Sequence, residues 1–411
     1  MVNLDYPMPN GLYVIPDDQL DLRPDAQVDQ DLLHPRPVSG LKNVWFFWHS
    51  GFLNMHPYTQ RNVRAWHRRF SKHGWTIRVL DREEDSPLNI AKYLDVKDPN
   101  VFPKSFIEGA IGGSYGLQHT SDLVRWPLLN KYGGVYADVG MMQIGDLDRL
   151  WNKTLGDPDS PYEILSYDGG EKDGRNLTNY FLCSRPNNPL FTRCHKLLLK
   201  LWNEDGGRTS TDGMHANPLL KEIPHLGYAA NVSIELDGAT YGPEEVAKML
   251  TDYIIQGQVI RQVMGLQDDE DGWNGPEYCA KHIYAIEFMA GSQLINEYTT
   301  WNGVRAFELM SLSLPKDAEE ETPDQKCARE IVEGCLTRSW GFKLAHGLIL
   351  KILGPTLGSL WRQHPGSDAV PGTYADWLRK AMVYWNQKED PEAIPFKKMP
   401  PTKIGPLLRE S

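Results

Sequence analysis

Residues 121–140, SDLVRWPLLNKYGGVYADVG, constrain the fold of this chain more than any other stretch. They predict an amphipathic helix, a break at Gly133-Gly134, and a short apolar strand that ends on the carboxylate of Asp138. Many α/β folds hold an activated, phosphate-bearing donor where a strand ends on an acid. Tyr136 points the same way from the strand as Asp138, so a cleft that receives one side chain receives both.

The segments around this stretch predict an α/β fold. Asn43–Trp48 is an apolar run typical of a buried strand, and Trp75–Leu80 alternates as the next strand. Pro57–His73 lies between them with the apolar spacing of a helix, and this β-α-β order implies a parallel sheet. Further strands are predicted at Tyr162–Tyr167, Asn179–Ser184 and His282–Phe288, and further helices at Pro189–Trp202 and Pro243–Met264.

Three regions are predicted along the chain. Residues 1–40 are rich in Pro and Asp and have weak periodicity, which is typical of an extended N-terminal arm. Residues 41–315 hold the α/β domain. A charged, proline-containing linker over 316–325 precedes residues 326–411, where we expect a helical C-terminal extension that ends in a basic tail.

Composition argues against several classes of protein. The formal net charge of −11 is unfavourable for a protein whose whole surface binds nucleic acid or anionic membrane. The five cysteines form no Cys-x-x-Cys pair, so we expect neither a disulfide scaffold nor a structural zinc site. No segment reaches the roughly 18 uncharged apolar residues of a membrane span, and the N-terminus lacks the features of a signal peptide. We therefore expect a cytoplasmic protein without a membrane span.

The run HTSDLVRWPLLNKYGGVYADVG, together with the earlier FFWHSG, resembles the capsular-polysaccharide-synthesis type of glycosyltransferase and its relatives that make mannosyl or galactosyl linkages. The resemblance covers about residues 42–300. It implies a GT-A fold, in which a nucleotide-binding α/β sheet is flanked by helices and completed by an acceptor half. It also implies a transferase that moves a sugar from a nucleotide-activated donor to a small-molecule or glycan acceptor.

The resemblance also assigns roles to individual residues. Asp122 lies near the nucleotide ribose in such enzymes, and Asp138 holds the diphosphate or its metal ion. The catalytic candidates are Asp138, Asp122 and His119. The donor-binding candidates are Trp48, Ser121, Arg125, Gly134 and Tyr136, and the acceptor-binding candidates are Asn179, Asp252 and Tyr253.

Several of these assignments have a structural alternative. Asp122 and Arg125 are one helical turn apart, so they share a face and alternatively form a pair that fixes the helix to the sheet. His119 is a general base, a phosphate ligand or a structural histidine. Trp48 either stacks on a nucleotide base or packs in the core, and Tyr253 either binds the acceptor or packs in the core. The glycine pair before the strand ends a helix, for which a left-handed glycine suffices.

The metal site of the resembling enzymes is altered in this sequence. GT-A enzymes usually hold Mn²⁺ or Mg²⁺ with an Asp-x-Asp pair, because hard divalent cations favour carboxylate oxygen. Here the pair reads Asp138-Val139-Gly140, so Asp138 is the predicted metal ligand and the loss of the second acid weakens the site. Asp146 and Asp148 follow closely and either substitute for the missing acid or lie in a solvated turn.

Two clusters of basic residues suggest a second hypothesis. Arg61, Arg64, Arg68 and Lys72 share one face of the predicted helix, which is either solvated or in contact with nucleic-acid phosphates. With the basic tail, they motivate an aminoacyl-tRNA-dependent cyclodipeptide synthase of the arginine-containing type. Such an enzyme would form an amide without a metal ion on a repurposed GT-A fold. A non-catalytic binding protein on a decayed site is the third hypothesis.

Overall fold

A computed structural model of the chain describes residues 4–170, 176–220, 223–226, 232–236, 238–316, 320–396 and 401. Its strands, numbered along the chain, are β1 (Leu12–Val14), β2 (Asn43–Phe47), β3 (Thr76–Leu80), β4 (Gly134–Ala137), β5 (Met141–Gln143), β6 (Ile164–Asp168), β7 (Leu177–Ser184), β8 (Ile234–Leu236), β9 (Ala239–Tyr241), β10 (Gln267–Asp268), β11 (Trp273–Asn274), β12 (Ile283–Ile286), β13 (Gly341–Lys343) and β14 (Trp385–Gln387). Its α-helices are α1 (Asp25–Leu33), α2 (Pro57–Phe70), α3 (Lys104–Ile107), α4 (Gly116–Tyr132), α5 (Leu147–Lys153), α6 (Pro189–Asn203), α7 (Pro243–Tyr253), α8 (Ile255–Gly265), α9 (Gly275–His282), α10 (Phe288–Ser292), α11 (Leu294–Tyr298), α12 (Gly303–Ser311), α13 (Pro323–Arg338), α14 (Ile349–Leu353), α15 (Leu357–Gln363) and α16 (Tyr374–Tyr384).

Six strands form a central mixed sheet in the order β12-β6-β7-β4-β2-β3. β2 runs parallel to β3 and β4, with Val44 opposite both Ile77 and Val135, and β12 runs parallel to β6. β7 is antiparallel to its neighbours β4 and β6. The α/β prediction is confirmed. The expectation of a parallel sheet is wrong at β7, because the eight residues between β6 and β7 are too few for a crossover connection.

The apolar run of β2 is buried on both faces of the sheet. Val44 and Phe46 pack in one hydrophobic cluster with side chains of α1 and α2. Trp45 and Phe47 point to the other face and pack with side chains of α4, α6 and α8. Helices therefore flank the sheet on both sides, which is why this strand reads as a continuous apolar run instead of an alternating one.

The glycine pair after α4 lets β4 begin close to β2. Gly133 and Gly134 have positive φ angles of 64° and 91°. A β-carbon at Gly134 would lie 2.4 Å from the carbonyl oxygen of Asn43, so no other residue fits there. This steric role accounts for Gly134, which the resemblance assigns to donor binding. The break sets β4 into the sheet and carries Asp138 to the edge where the strand ends.

Residues 4–40 are not the extended arm that the sequence predicts. They include α1, which packs against the sheet through Val28 and Leu32, two fully buried side chains four residues apart. They also include β1, which pairs antiparallel with β14 and sets Tyr13 opposite Asn386. The N-terminal region is therefore a packed part of the fold that contacts the C-terminal region.

The C-terminal extension is helical, as predicted, and packs against the α/β domain. β13 pairs antiparallel with β5, with Gly341 opposite Gln143 and Lys343 opposite Met141. This pairing brings residues 341–346 beside the end of β4. The boundary over 316–325 stays a prediction, and residues 397–400 and 402–411 of the basic tail lie outside the described residues.

None of the helices that the structure describes has the length and apolar character needed to span a bilayer. The cytoplasmic location expected from the sequence stays a prediction.

Candidate active site

The guanidinium of Arg125 joins the two predicted acids. Its Nη2 lies 2.8 Å from Asp122 Oδ1 and 3.0 Å from Asp138 Oδ1. Its Nη1 donates to the carbonyl oxygen of Asn179 at 2.6 Å. The side chain is 4% exposed, and although burial lowers the pKa of Arg125, the two carboxylates outweigh that effect and raise it. A buried charge thus links α4 to the end of β4.

Gln256 on α8 completes this network. Its side-chain oxygen accepts hydrogen bonds from Arg125 Nη1 at 3.0 Å and from Asn179 Nδ2 at 3.3 Å. Its Nε2 donates to the carbonyl oxygen of Asp122 at 2.7 Å. The network therefore holds the predicted acceptor residue Asn179 beside the two acids, and its mutual hydrogen bonds make it rigid.

Asp138 is the accessible end of the network. Its side chain keeps 23% of its surface exposed, and its Oδ2 lies 2.5 Å from the ammonium of Lys343. The same ammonium sits 5.5 Å from the ring centroid of Tyr180. Burial raises the pKa of Asp138, but Lys343 and Arg125 outweigh it and hold this pKa below its usual value. Asp138 is therefore ionised and carries a cation on each oxygen.

Tyr136 and Ser121 lie behind Arg125. The Tyr136 ring faces the guanidinium at 5.0 Å, and its hydroxyl lies 2.7 Å from Ser121 Oγ. Tyr136 is fully buried, and burial raises its pKa to about 12 against the opposing effect of Arg125. In this structure, Tyr136 supports the arginine from behind. The sequence predicts that Tyr136 and Ser121 bind the donor. In the structure they lie behind Arg125, which pairs with Asp122 and Asp138.

His119 and Tyr253 form a second layer around Asp122. His119 Nδ1 lies 3.4 Å from Asp122 Oδ2, and its Nε2 lies 3.2 Å from Thr211 Oγ1. Both ring nitrogens of this buried histidine thus have partners, which favours the structural alternative. Its ring meets that of Tyr253 edge-on at 5.9 Å. Burial, and then the charges of Asp122 and Asp138, raise the pKa of Tyr253.

Asp252 serves a different part of the fold. Its carboxylate accepts from the backbone N–H groups of Gly213 at 2.8 Å and His215 at 2.7 Å, and it lies 2.9 Å from His215 Nδ1. It therefore anchors the loop over 211–217, whereas the ring of its neighbour Tyr253 contacts His119.

Trp48 lies at the carboxyl end of β2 and is half-buried. Its ring packs edge-on against His56 at 5.4 Å, and it contacts the hydrophobic cluster on the α2 side of the sheet. The position suits both of its predicted roles, base stacking and core packing.

Residues of the C-terminal extension also lie at the site, and the sequence does not predict them there. Besides Lys343, they include His346, whose Nε2 lies 2.6 Å from the hydroxyl of Tyr58 on α2. Burial, and then the charges of Lys343 and Arg362, lower the pKa of His346 to about 3. Lys343 lies 205 residues beyond Asp138 in the chain. Its segment, GFKLAH, carries no signature that would have revealed it.

Comparison with known proteins decides the family. A family model described as "Capsular polysaccharide synthesis protein" matches residues 25–208. The O-glycosyltransferase braB of Annulohypoxylon truncatum is 33% identical over 95% of this chain and 90% of its own. The chain belongs to the capsular polysaccharide synthesis family of glycosyltransferases.

Two further relatives agree with this family. The probable glycosyltransferase FCK3 of Fusarium pseudograminearum is 33% identical over 90% of each chain. The O-glycosyltransferase PaGT of Phomopsis amygdali is 31% identical over 94% of this chain and 92% of its own. The predicted resemblance is confirmed, and this family member is an enzyme that transfers glycosyl groups between a donor and an acceptor. The relatives give no support to a cyclodipeptide synthase.

The basic face of α2 is occupied by acidic partners, which removes the structural argument for tRNA binding. Arg61 pairs with Asp368, and Arg64 Nε lies 2.7 Å from Asp29 Oδ1. Arg68 Nη2 lies 2.6 Å from Asp25 Oδ1. Lys72, the last basic residue of this set, is exposed. The acids belong to the N-terminal region and the C-terminal extension. The three arginines of this face therefore pair within the fold, and the nucleic-acid hypothesis for it stays a prediction without support from the structure or the relatives.

The residues at the strand end do not fit a divalent cation. A β-carbon at Gly140 would lie 2.8 Å from the carbonyl oxygen of Leu344 and 3.6 Å from Lys343 Nζ, so a second acid has no room there. Asp138 already forms ion pairs with the side chains of Arg125 and Lys343. At a separation of about 4 Å and an effective dielectric constant of about 20, each unit of positive charge on an added ion would cost about 4 kcal/mol against the lysine.

The two later acids do not replace the missing ligand. Asp146 caps α5 by accepting from the N–H of Arg149 at 3.0 Å, and it also accepts from Asn386 at 2.7 Å. Asp148 lies 2.6 Å from Lys42 Nζ and accepts from the indole of Trp75 at 2.8 Å. Both carboxylates hold other parts of the fold together.

Proposed function

We propose that this glycosyltransferase takes its sugar from a nucleoside-diphosphate sugar and delivers it to a hydroxyl group of a small-molecule or glycan acceptor. The observation that carries the proposal is the pairing of Arg125 with both Asp122 and Asp138 at the carboxyl edge of the sheet. Carboxylates that a buried guanidinium holds in place can accept hydrogen bonds from ribose and sugar hydroxyls. Two relatives are named O-glycosyltransferases, which supports an oxygen acceptor.

The proposed roles combine the family resemblance with the positions of the side chains. Asp122 accepts hydrogen bonds from the ribose, and Trp48 stacks on the nucleotide base at the end of β2. Asp138, with 23% of its surface exposed, lies on the diphosphate side. Tyr253 and Asn179 border the acids on the acceptor side.

The binding test uses the full chain and isothermal titration calorimetry with UDP, GDP and dTDP, in EDTA and in Mn²⁺. We expect one of these nucleotides to bind. Asp122→Asn should weaken that binding about tenfold or more, because it replaces a charged hydrogen-bond acceptor with a neutral amide of equal size. Glu330→Gln, at an exposed position on α13, is the matched control and should bind as wild type.

The proposal fails if none of the three nucleotides binds in either medium. Mass spectrometry of small molecules that accumulate in an expressing host gives the second test. A product that carries a sugar residue supports the proposal, and a cyclic dipeptide would contradict it.

A further inference from the structure

We propose that the ammonium of Lys343 takes the place of the divalent cation in this glycosyltransferase, so that the nucleoside-diphosphate leaving group is stabilised without a metal ion. The inference rests on the proposed function, because it names the group that meets the diphosphate. It concerns a residue of the C-terminal extension that lies outside the stretch matched by the family model, residues 25–208.

Strand pairing holds Lys343 beside the end of β4. Strand pairing between β13 and β5 sets Lys343 opposite Met141, three residues beyond Asp138. From there its Nζ reaches Asp138 Oδ2 at 2.5 Å, and the side chain keeps 15% of its surface exposed. An ammonium has three donors, so Asp138 orients the group and leaves donors for a ligand.

Gly140 lies directly against the segment that bears Lys343. The carbonyl oxygen of Leu344 lies 2.8 Å from where a β-carbon of Gly140 would be, and the N–H of Leu344 donates to the carbonyl oxygen of Gly140 at 3.0 Å. The segment that bears the lysine therefore passes directly over this glycine. The passage of this segment over Gly140 leaves no room for a second acid at position 140 and also brings Lys343 to Asp138.

The charge around Asp138 agrees with this arrangement. Asp122 and Asp138 supply two negative charges, and Arg125 and Lys343 supply two positive charges. The four groups are neutral together without an added ion. Arg125 is almost fully buried among its partners, so a diphosphate that approaches this neutral group meets the more exposed ammonium of Lys343.

The transfer step can then be written without a metal ion. The acceptor hydroxyl oxygen forms a bond to the anomeric carbon, and its proton passes to water. The bond between the anomeric carbon and the diphosphate oxygen breaks, and its electron pair stays on that oxygen. Lys343 donates a hydrogen bond to this oxygen as negative charge develops on the oxygen. In metal-dependent enzymes a divalent cation stabilises the same charge.

Calorimetry with UDP, GDP and dTDP tests the inference on wild type and three variants. Lys343→Ala removes the charge, Lys343→Arg keeps it, and Lys351→Ala removes an exposed lysine eight residues further along. We expect the bound nucleotide to have the same affinity in EDTA as in Mn²⁺, within a factor of about three. Lys343→Ala should weaken binding about 10- to 100-fold, Lys343→Arg less, and Lys351→Ala not at all. Thermal unfolding of each variant confirms that it is folded.

The outcomes separate this inference from the proposed function. Nucleotide binding that requires Mn²⁺ would refute the role of Lys343 and leave the proposed function intact. Binding to Lys343→Ala with wild-type affinity would do the same. If none of the nucleotides binds in any medium, the proposed function fails, and this inference fails with it.

Mn²⁺ alone gives an independent readout. Electron paramagnetic resonance follows the free ion during titration of the wild-type chain, with Asp138→Asn as the comparison. We expect no difference in Mn²⁺ binding between the two proteins. Micromolar binding that Asp138→Asn abolishes would overturn the inference.

Discussion

The two cations on Asp138 come from different regions of the molecule and are held very differently. Arg125, from α4, is 4% exposed and also contacts Asp122, Asn179 and Gln256. Lys343, from β13, is 15% exposed and contacts Asp138 at the edge of the network. The comparison indicates that the arginine fixes the geometry of the site, while the lysine is free to respond to a bound ligand. Four predictions test that distinction, from the largest effect to the smallest.

The largest loss of stability is expected for Arg125→Met. The substitution leaves the carboxylates of Asp122 and Asp138 facing each other without their shared partner, which typically costs about 3–5 kcal/mol. Urea unfolding followed by circular dichroism measures the change. A loss below about 1 kcal/mol, as for a surface ion pair, would show that the arginine does not hold the site together.

Lys343→Ala should separate stability from activity. We expect the free energy of unfolding to change by about 1 kcal/mol or less, because this pair lies at the edge of the site. The rate of nucleoside-diphosphate release from the donor should fall about 10²- to 10³-fold. Both quantities are measured on the same preparation. The reverse pattern, with a large loss of stability and an unchanged rate, would make Lys343 a structural residue.

Gly140→Ala tests whether the lysine segment must pass over a glycine. The added β-carbon would lie 2.8 Å from the Leu344 carbonyl oxygen, so we expect a loss of about 1–3 kcal/mol in the free energy of unfolding. Displacement of the segment should also lower the affinity for nucleotide. Gly112→Ala is the control, because its β-carbon would come no closer than 3.9 Å to its neighbours. Equal behaviour of the two variants would contradict this account of position 140.

The smallest effect is expected for Arg64→Gln on α2. Its two hydrogen bonds to Asp29 form a partly exposed ion pair, which contributes about 1 kcal/mol or less to the free energy of unfolding. Nucleotide affinity should not change, because this face packs against the N-terminal region. A tenfold loss of affinity, measured by calorimetry, would return the basic face of α2 to the functional site.

The sequence predicts one half of the site well. Asp122, Arg125 and Asp138 lie within one helix-glycine-strand unit, so helical spacing and the glycine break suffice to bring them together. Lys343 was not predictable in this way, because its position depends on a three-residue strand pairing between β13 and β5. A linker expected at 316–325 also separated it from the α/β domain in the sequence interpretation.

Asp252 and Tyr253 show a finer limit of the same kind. Both were assigned to the acceptor side, yet adjacent residues of a helix point about 100° apart. Asp252 faces the loop over 211–217, and the ring of Tyr253 contacts that of His119, which lies beside Asp122. The sequence predicts the helix α7. Which of the two residues lies at the site depends on how α7 packs against other elements.

The N-terminal region shows why short apolar patterns are missed. α1 buries two side chains, Val28 and Leu32, in a segment otherwise rich in Asp and Gln. So few apolar positions give too little periodicity to distinguish a helix from an extended arm. The structure also uses Asp25 and Asp29 of this helix to neutralise the arginines of α2, a pairing between separate elements that no local pattern indicates.

A crystal structure of the full chain with bound nucleoside diphosphate, grown in EDTA, tests the central claim most directly. The account predicts Lys343 Nζ within about 3 Å of a β-phosphate oxygen, with Asp138 still paired to the ammonium and to Arg125. A Mn²⁺-soaked crystal with the ion on Asp138, its phosphate bound to that ion and Lys343 turned away, would contradict it.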